Sequence, residues 1–402
     1  MVTFGIALLV AVLFSELSER SPLSTSFVFL VAGLVAGPLV IGADQLPVST
    51  TREVAAATLF VVLFADGQRA PWGVLRRRWR EPTRALLVGM PLTFLLVGAL
   101  AHYVVGLDWL PALLLGAVLA PTDPVFASVL VGRDDVPRRL RSLLNIESGL
   151  NDGLALPVVL ILVGTLGGMP PGESTELGPL LGQVGLGIGF GVLFPLAGAA
   201  LLRLPLVGVE ARVAPLGPIA VGALLFATCS VTGANPFLAA FVGGITLATV
   251  SPRASELFAS TGELLGELAK NFALLAFGTL VTVAVISDVG WRGWLFAALA
   301  LLLGRPLPVL LSLVGSKLER PQRWAAAWFG PKGFASVVYG LIVLESELEQ
   351  SEKLFALIVA TVVVSIALHS TTDVPVAQLL GTSPDTEHPD DEDLDEQAPA
   401  TS

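Results

Sequence analysis

The sequence is built from apolar segments long enough to cross a bilayer, separated by short polar loops. A transmembrane helix needs roughly 20 apolar residues, within a range of about 17–25. Because lipid offers no partner for backbone polar groups, such a chain should fold as an all-α polytopic membrane protein. We number the thirteen predicted spans in chain order. They cover residues 3–17, 24–41, 51–66, 85–105, 109–131, 142–166, 180–202, 214–231, 235–250, 268–286, 293–314, 324–343 and 354–372.

Composition excludes several other classes of protein. Charged residues make up 14% of the 402-residue chain, against about 25% in soluble domains. A single cysteine, Cys229, excludes a disulfide framework, and three histidines leave no histidine-based metal cluster. No basic stripe suggests nucleic acid, and no cofactor is predicted. Residues 2–14 have no positively charged start and no cleavage site, so we interpret them as the first span and not as a signal peptide.

The basic residues predict how the chain is oriented. With thirteen spans and a cytoplasmic C-terminus, 17 of the 23 Lys and Arg residues fall in the loops on the cytoplasmic side. Positive charge is enriched in cytoplasmic loops. We therefore expect an inner-membrane protein with its N-terminus outside. Residues 1–380 should form the transmembrane domain, and the acidic segment 381–402 should be a disordered cytoplasmic tail.

The odd number of spans permits an inverted repeat. Spans 1–6 and 8–13 would run in opposite directions, joined by span 7, so that span 5 corresponds to span 12. Both are interrupted, span 5 at residues 121–124 (Pro-Thr-Asp-Pro) and span 12 at residues 330–333 (Gly-Pro-Lys-Gly). Paired interruptions in the two halves of a transporter point to a site near the middle of the membrane.

Ionisable residues inside the spans are costly and usually have a function or a partner. Glu16 lies near a span end, where water contact is the simpler explanation, and Lys270 can extend to the interface. Asp66 is either a carboxylate in an inner funnel or an interfacial charge. Lys332, in the span 12 interruption, can neutralise helix C-terminal ends and nearby carboxylates. The full set is Glu16, Asp66, Asp123, Glu147, Asp152, Lys270, Arg305 and Lys332.

The span 5 interruption is rich in oxygen atoms. Pro121 and Pro124 have no N–H group, which leaves two carbonyls of the preceding turn without helical donors. Together with Thr122 and Asp123, these carbonyls form a set of ligands that hard cations prefer. The alternative is that Asp123 only caps the following half-helix.

Two carboxylates of span 6 point in different directions. At about 100° per residue, Ser148 and Asp152 share one helical face, whereas Glu147 and Asp152 are about 140° apart. One carboxylate should therefore meet an ion and the other a fixed partner. Asp152, with the Ser148 hydroxyl beside it, is the candidate ion carrier. Glu147 is better explained as half of a buried pair with Arg305, whose charge persists at midspan.

These motifs resemble a known family. The run Ala120-Pro121-Thr122-Asp123-Pro124-Val125, followed by Glu147-Ser148-Gly149-Leu150-Asn151-Asp152, is similar to the sodium/proton exchanger branch of the monovalent cation/proton antiporters. The resemblance covers about residues 5–372, and Phe29 to Pro38 also resembles the second span of the family.

The resemblance implies a fold and a set of roles. The fold is a homodimer whose protomers have a six-helix core, with broken helices crossing in spans 5 and 12, beside a dimerisation domain. Asp152 would carry the cation and the proton, with Ser148, Thr122 and Asp123 as neighbours. Asp66 contributes a cation contact in some members, and Glu147 with Arg305 matches the buried ion pair of the family.

The resemblance also implies a subtype. Asn151, before the carrier aspartate, is typical of the electroneutral branch, where electrogenic members have aspartate; Lys332 departs from the arginine of many electroneutral relatives. The expected activity is one-for-one exchange of Na⁺ or Li⁺ for H⁺ and no enzymatic reaction. Potassium/proton exchange and electrogenic sodium/proton exchange are the alternatives. An intramembrane aspartyl protease lacks its Gly-x-Gly-Asp motif here, and a passive cation channel would show no coupling to protons.

Overall fold

The computed structural model describes residues 25–36, 48–77, 79–123, 136–168, 177–201, 213, 216–346 and 348–381. Within these ranges every regular element is a helix and no strand occurs. We number the described helices in chain order. They are α1 (Thr25–Ala36), α2 (Val48–Gln68), α3 (Trp72–Arg77), α4 (Arg80–Val105), α5 (Trp109–Leu119), α6 (Arg138–Thr165), α7 (Leu177–Leu201), α8 (Leu216–Thr232), α9 (Pro236–Val250), α10 (Pro252–Leu280), α11 (Val283–Asp288), α12 (Gly290–Ser312), α13 (Arg320–Trp328), α14 (Phe334–Glu345) and α15 (Ser351–Gly381).

Six of the described helices are long and apolar enough to cross a bilayer, namely α2, α4, α6, α7, α12 and α15. They correspond to predicted spans 3, 4, 6, 7, 11 and 13. Shorter apolar helices, α5, α8 and α14, lie where parts of spans 5, 8 and 12 were predicted. The all-helical membrane fold is therefore confirmed. The count of thirteen stays a prediction, because span 1 and the second half of span 5 lie outside the described residues.

Helix α10 begins well before predicted span 10 (residues 268–286) and ends inside it. Helix α10 has 29 residues and begins at Pro252, directly after α9, with a bend of 118° between them. Proline is favoured in the first helical turn, where its missing N–H costs no hydrogen bond. Arg253, Glu256, Glu263 and Glu267 lower the hydropathy of the part of α10 that precedes residue 268. At the other end, Thr282 accepts a bond from the Val285 N–H and caps the separate helix α11.

Two helix pairs pack through glycines in a matching way. A Cβ atom on Gly33 of α1 would lie 2.9 Å from the Gly278 Cα of α10, and one on Gly67 of α2 would lie 3.1 Å from the Gly244 Cα of α9. A Cβ atom on any of these four glycines would also overlap a backbone carbonyl oxygen of the facing helix, so each crossing needs glycine on both helices. The backbones approach this closely because small residues occupy the contact.

These crossings are related by a constant shift along the chain. Gly244 lies 211 residues after Gly33, and Gly278 lies 211 residues after Gly67. The same interval of 211 residues separates Thr58 from its hydrogen-bond partner Ala269. When a local two-fold axis relates two halves of a chain, each contact between the halves occurs twice. In the second contact, each residue is replaced by its equivalent in the other half. The α1–α10 and α2–α9 crossings have this relation, which supports the inverted repeats predicted from the sequence.

The most buried helices surround the interruption of span 12. Nine of the twelve residues of α14 are buried, and α15 packs along it. In α5, the residues from Leu114 to Leu119 are also buried. Helix α7, by contrast, exposes apolar side chains such as Leu181 and Leu193. Polar groups on α5, α6 and α14 are therefore enclosed by protein, whereas α7 presents an apolar surface.

Candidate ion-binding site

The interruptions of spans 5 and 12 meet in the protein interior. Helix α5 ends at Leu119, and residues 120–123 are not helical. The Asp123 N–H donates to the Pro331 carbonyl at 3.0 Å, and the Phe334 N–H donates to Asp123 Oδ2 at 2.8 Å. The carboxylate of Asp123 therefore sits at the N-terminus of α14, where the helix dipole favours negative charge. Residues 124–135, which the capping alternative concerned, lie outside the described part of the chain.

Lys332 also connects the interruption of span 12 to that of span 5. Its ammonium group donates to the carbonyls of Ala120 (3.4 Å) and Pro121 (3.2 Å), just after the C-terminus of α5. Its backbone N–H donates to Ser365 Oγ of α15 at 2.8 Å. The side chain is 1% exposed. A cation in this place donates hydrogen bonds to carbonyls that have no helical donor. Its charge also interacts favourably with the negative, C-terminal end of the α5 dipole. The sequence had predicted this location for its charge.

Asp152 occupies the middle of α6 and is fully buried. Among the described residues, neither of its carboxylate oxygens has a hydrogen-bond partner. A short polar chain lies beside it: Asn151 Nδ2 donates to Thr122 Oγ1 at 2.9 Å, and Thr122 Oγ1 lies 3.3 Å from Ser148 Oγ. Buried polar atoms are almost always hydrogen-bonded. Two carboxylate oxygens without a partner therefore mark Asp152 as the group available to bind something.

Three other charges act on Asp152, those of Asp123, Asp66 and Lys332. Asp66 is 6% exposed in α2, and its Oδ1 forms an ion pair at 3.3 Å with Arg69, whose side chain is 47% exposed. The Asp66 carbonyl accepts a bond from Asn145 of α6 at 3.2 Å. Asp66 therefore lies between the exposed Arg69 and the interior, a place that fits either of its predicted roles.

Glu147 and Arg305 form a buried ion pair. Two parallel bonds join them, Nη1 to Oε1 at 2.7 Å and Nη2 to Oε2 at 3.0 Å, and both residues are at most 4% exposed. Arg305 Nη2 also donates to the carbonyls of Ala326 and Phe329 at the end of α13. The two carboxylates of α6 therefore differ, as the helical angles predicted: one is neutralised by a fixed cation and the other is not.

The local backbone explains how Arg305 reaches this pair. A π-helical turn, Ala300–Gly304, comes immediately before it, and Pro306 follows. A π turn inserts an extra residue into an α-helix and changes the direction of the next side chain. Gly330 gives the guanidinium its room, because a side chain there would overlap Arg305. At Gly333 a side chain would overlap the Asp123 carboxylate. Both glycines of the span 12 interruption are thus required by space.

Sequence reasoning missed several polar residues around the site. The Tyr339 hydroxyl of α14 donates to the Asp152 carbonyl, and Ser336 Oγ donates to the Val118 carbonyl at 2.9 Å. Asn235 Nδ2, at the start of α9, donates to the Gly153 carbonyl at 2.9 Å. The available signal was a hydrogen-bonding side chain in or beside an apolar segment, at Asn235, Ser336 and Tyr339 as much as at Thr122 and Ser148.

The arrangement can bind a small cation or a proton. Asp152 supplies a negative charge. Ser148, one helical turn before it, and Thr122, whose Oγ1 lies 3.3 Å from Ser148 Oγ, supply neutral oxygen atoms. Such oxygen ligands suit hard cations. The neighbouring charges are fixed by direct contacts: Glu147 by Arg305, and Asp123 by the N-terminus of α14. Asp66 is paired with Arg69. Asp152, whose carboxylate oxygens have no partner among the described residues, is therefore the group whose charge an arriving ion would balance.

Comparisons with known proteins give the family and the fold of the chain. Residues 5–379 match the family described as sodium/hydrogen exchanger, transmembrane. The chain is similar to the K⁺/H⁺ antiporter NhaP2 of Shewanella oneidensis, with 26% identity over 379 residues, or 92% of this chain. It spans 65% of the length of that relative. A Na⁺/H⁺ antiporter of Saccharomyces cerevisiae is 30% identical over 169 residues, covering 40% of this chain and 17% of the yeast protein.

Among solved structures, the sodium proton antiporter MjNhaP1 of Methanocaldococcus jannaschii at pH 8 is similar in fold. The TM-score is 0.77 at 21% sequence identity, and the match covers 94% of this chain and 98% of the archaeal one. A fold likeness at this identity concerns architecture alone. The match of the family over almost the entire chain identifies it directly: the protein is a member of the transmembrane sodium/hydrogen exchanger family.

Proposed function

We propose that this protein is a secondary antiporter that exchanges Na⁺ or Li⁺ for H⁺ by alternating access, with Asp152 as the carrier of both ions. The observation that carries the proposal is the state of the two carboxylates of α6. Glu147 is held in a bidentate ion pair, whereas Asp152 is fully buried without a hydrogen-bond partner among the described residues. A buried carboxylate of this kind requires a cation or a proton.

Obligatory coupling follows from the cost of burying charge. An ionised carboxylate moved through a region of low dielectric constant loses several kcal/mol of solvation. The site therefore changes its exposure from one side to the other only when Asp152 holds a cation or a proton. Since one carboxylate does not hold both at once, the two ions move in opposite directions.

Asn151 supports electroneutral one-for-one exchange. It is 1% exposed and donates to Thr122, so the position before the carrier is a neutral amide that helps to order the site. With one titrating carboxylate, the site is neutral when it carries the monovalent cation in one direction. It is equally neutral when it carries the proton in the other direction. The electrogenic alternative would require a second group to change its protonation.

The names of relatives support two choices of cation. The Shewanella proteins are named K⁺/H⁺ antiporters, and the yeast protein is named a Na⁺/H⁺ antiporter. Sodium or lithium is our proposal, and potassium is the second candidate. We further propose a dimer in the inner membrane, with the N-terminus outside and the C-terminus in the cytoplasm. The support for this orientation is the distribution of basic residues between loops.

Reconstituted liposomes with an internal pH dye test the proposal. Sodium, lithium and potassium are added in turn to wild type, to Asp152→Asn and to Asp288→Asn, which removes an exposed carboxyl at the end of α11. We expect cation-driven proton flux in the wild type and in Asp288→Asn, and none in Asp152→Asn. Substantial exchange by Asp152→Asn would overturn the carrier assignment, and cation flux without proton flux would indicate a channel.

A further inference from the structure

The turn of α6 that follows the carrier contains a proline. Pro157 lies inside the helix and has no N–H to donate to the carbonyl of Gly153, four residues earlier. A helix interrupted in this way bends, and the carbonyl it leaves without a donor must find another partner. That carbonyl belongs to the residue immediately after Asp152. The backbone next to the carrier is therefore not fixed by its own helix alone.

A side chain from another helix supplies the missing donor. Asn235 Nδ2 donates to the Gly153 carbonyl at 2.9 Å. Asn235 is itself well fixed, since its Oδ1 accepts bonds from the N–H groups of Phe237 and Leu238 at the start of α9. It is 2% exposed. All of the hydrogen-bonding capacity of this side chain, apart from one amide hydrogen, is thus committed to joining the start of α9 to the carrier turn of α6.

A second donor reaches the adjacent carbonyl. The Tyr339 hydroxyl of α14 donates to the carbonyl of Asp152 itself, and the ring packs edge-on against Phe237 at a centroid distance of 6.4 Å. Two consecutive carbonyls, at 152 and 153, therefore accept bonds from side chains of α14 and α9. A glycine at 153 makes this possible, because a Cβ atom there would overlap the side chain of Leu238.

We propose that Asn235 and Tyr339 are positioning residues for the carrier: they hold the proline-interrupted turn of α6 and thereby fix the direction of the Asp152 carboxylate. This role requires no contact between either side chain and the transported ion. Their effect passes through the backbone of residues 152 and 153, whose orientation sets that of the Asp152 side chain. The inference rests on the proposed function, since it assumes that Asp152 binds the cation.

Restoring the missing N–H tests the part of the proposal that concerns Asn235. Asn235→Ser keeps an oxygen that can cap α9 but is too short to reach Gly153. We expect the apparent KM for the cation to rise about tenfold, on the scale of one lost buried hydrogen bond, with a smaller change in maximal rate. Adding Pro157→Ala supplies an N–H to the Gly153 carbonyl and should return KM to within about twofold of wild type.

A matched control distinguishes this rescue from general stabilisation. Pro195 lies inside α7, and Pro195→Ala restores an N–H to a carbonyl of that helix but none to Gly153. It should not rescue Asn235→Ser. Tyr339→Phe keeps the ring and removes the hydroxyl, and it should raise KM in the same direction. Melting temperatures in detergent, measured in parallel, report on stability separately from KM.

The outcomes are decisive in each case. An unchanged KM in Asn235→Ser, or equal behaviour of the Pro157→Ala and Pro195→Ala double variants, would overturn the positioning role of Asn235. An unchanged KM in Tyr339→Phe would overturn that of Tyr339. Failure of the underlying function has a different signature, namely exchange that persists in Asp152→Asn.

Discussion

The buried pair of Glu147 and Arg305 gives the most quantitative prediction. Removing one partner of a buried ion pair costs about 3–5 kcal/mol, because the other charge is left without compensation. Here the two losses should differ. After Glu147→Gln, Arg305 keeps its bonds to the carbonyls of Ala326 and Phe329. The expected cost is therefore about 3 kcal/mol, near the lower limit.

Arg305→Gln should be the more harmful of the two changes. Glu147 has no other hydrogen-bond partner among the described residues, so its carboxylate would remain buried without a cation. The carbonyls that accept from Arg305 would also lose a donor. The expected cost is about 5 kcal/mol, near the upper limit. The double variant replaces both charges by amides that can bond to each other, so it should be more stable than either single variant.

Thermal unfolding in detergent measures this order, and an exposed pair provides the control. Arg52 Nε lies 2.6 Å from Glu345 Oε2, but these side chains are 37% and 27% exposed. Exposed pairs contribute about 0–1 kcal/mol. We expect the melting temperature to fall in the order wild type, double variant, Glu147→Gln, Arg305→Gln. The control variants Arg52→Gln and Glu345→Gln should melt close to wild type. If the Glu147 and Arg305 variants melt like wild type, the reasoning is refuted.

Two further predictions concern charge balance and the span 12 interruption. A membrane potential imposed with potassium and valinomycin should leave the initial sodium/proton exchange rate unchanged when sodium is the only transported cation. A net charge crossing the membrane would gain about 2.3 kcal/mol per 100 mV. A strong dependence of the rate on this potential would therefore assign the protein to the electrogenic class and remove the significance of Asn151. Gly333→Ala should reduce exchange at least about tenfold, because its methyl group overlaps the Asp123 carboxylate, whereas Gly182→Ala, which meets nothing within 4 Å, should exchange like wild type.

Much of the site could be predicted because its signals are local in sequence. Charge in an apolar segment is costly wherever the segment packs, so Asp123, Asp152, Arg305 and Lys332 stood out without a structure. The angle between Glu147 and Asp152 follows from helical periodicity alone, and it predicted that only one of them meets the ion. Ser148, on the face of Asp152, indicated which one.

The remaining features depend on which helices are neighbours. Periodicity does not specify that α9 starts beside the middle of α6, so the bond from Asn235 to Gly153 could not be predicted. The same holds for the Asp123 carboxylate, whose described partner is the N–H of Phe334, 211 residues away. The start of α10 before predicted span 10 has another cause. Hydropathy detects lipid-facing length, whereas a helix continues wherever its backbone bonds can form.

Proton release on cation binding tests the central claim most directly. In a weakly buffered detergent solution with a pH dye, at the acidic end of the range where the protein binds sodium, each bound ion should displace the proton from Asp152. We predict one proton released per protomer in the wild type and none in Asp152→Asn, with Asp288→Asn as the matched control. Undiminished release from Asp152→Asn, or two protons per sodium in the wild type, would contradict a single carboxylate shared by both ions.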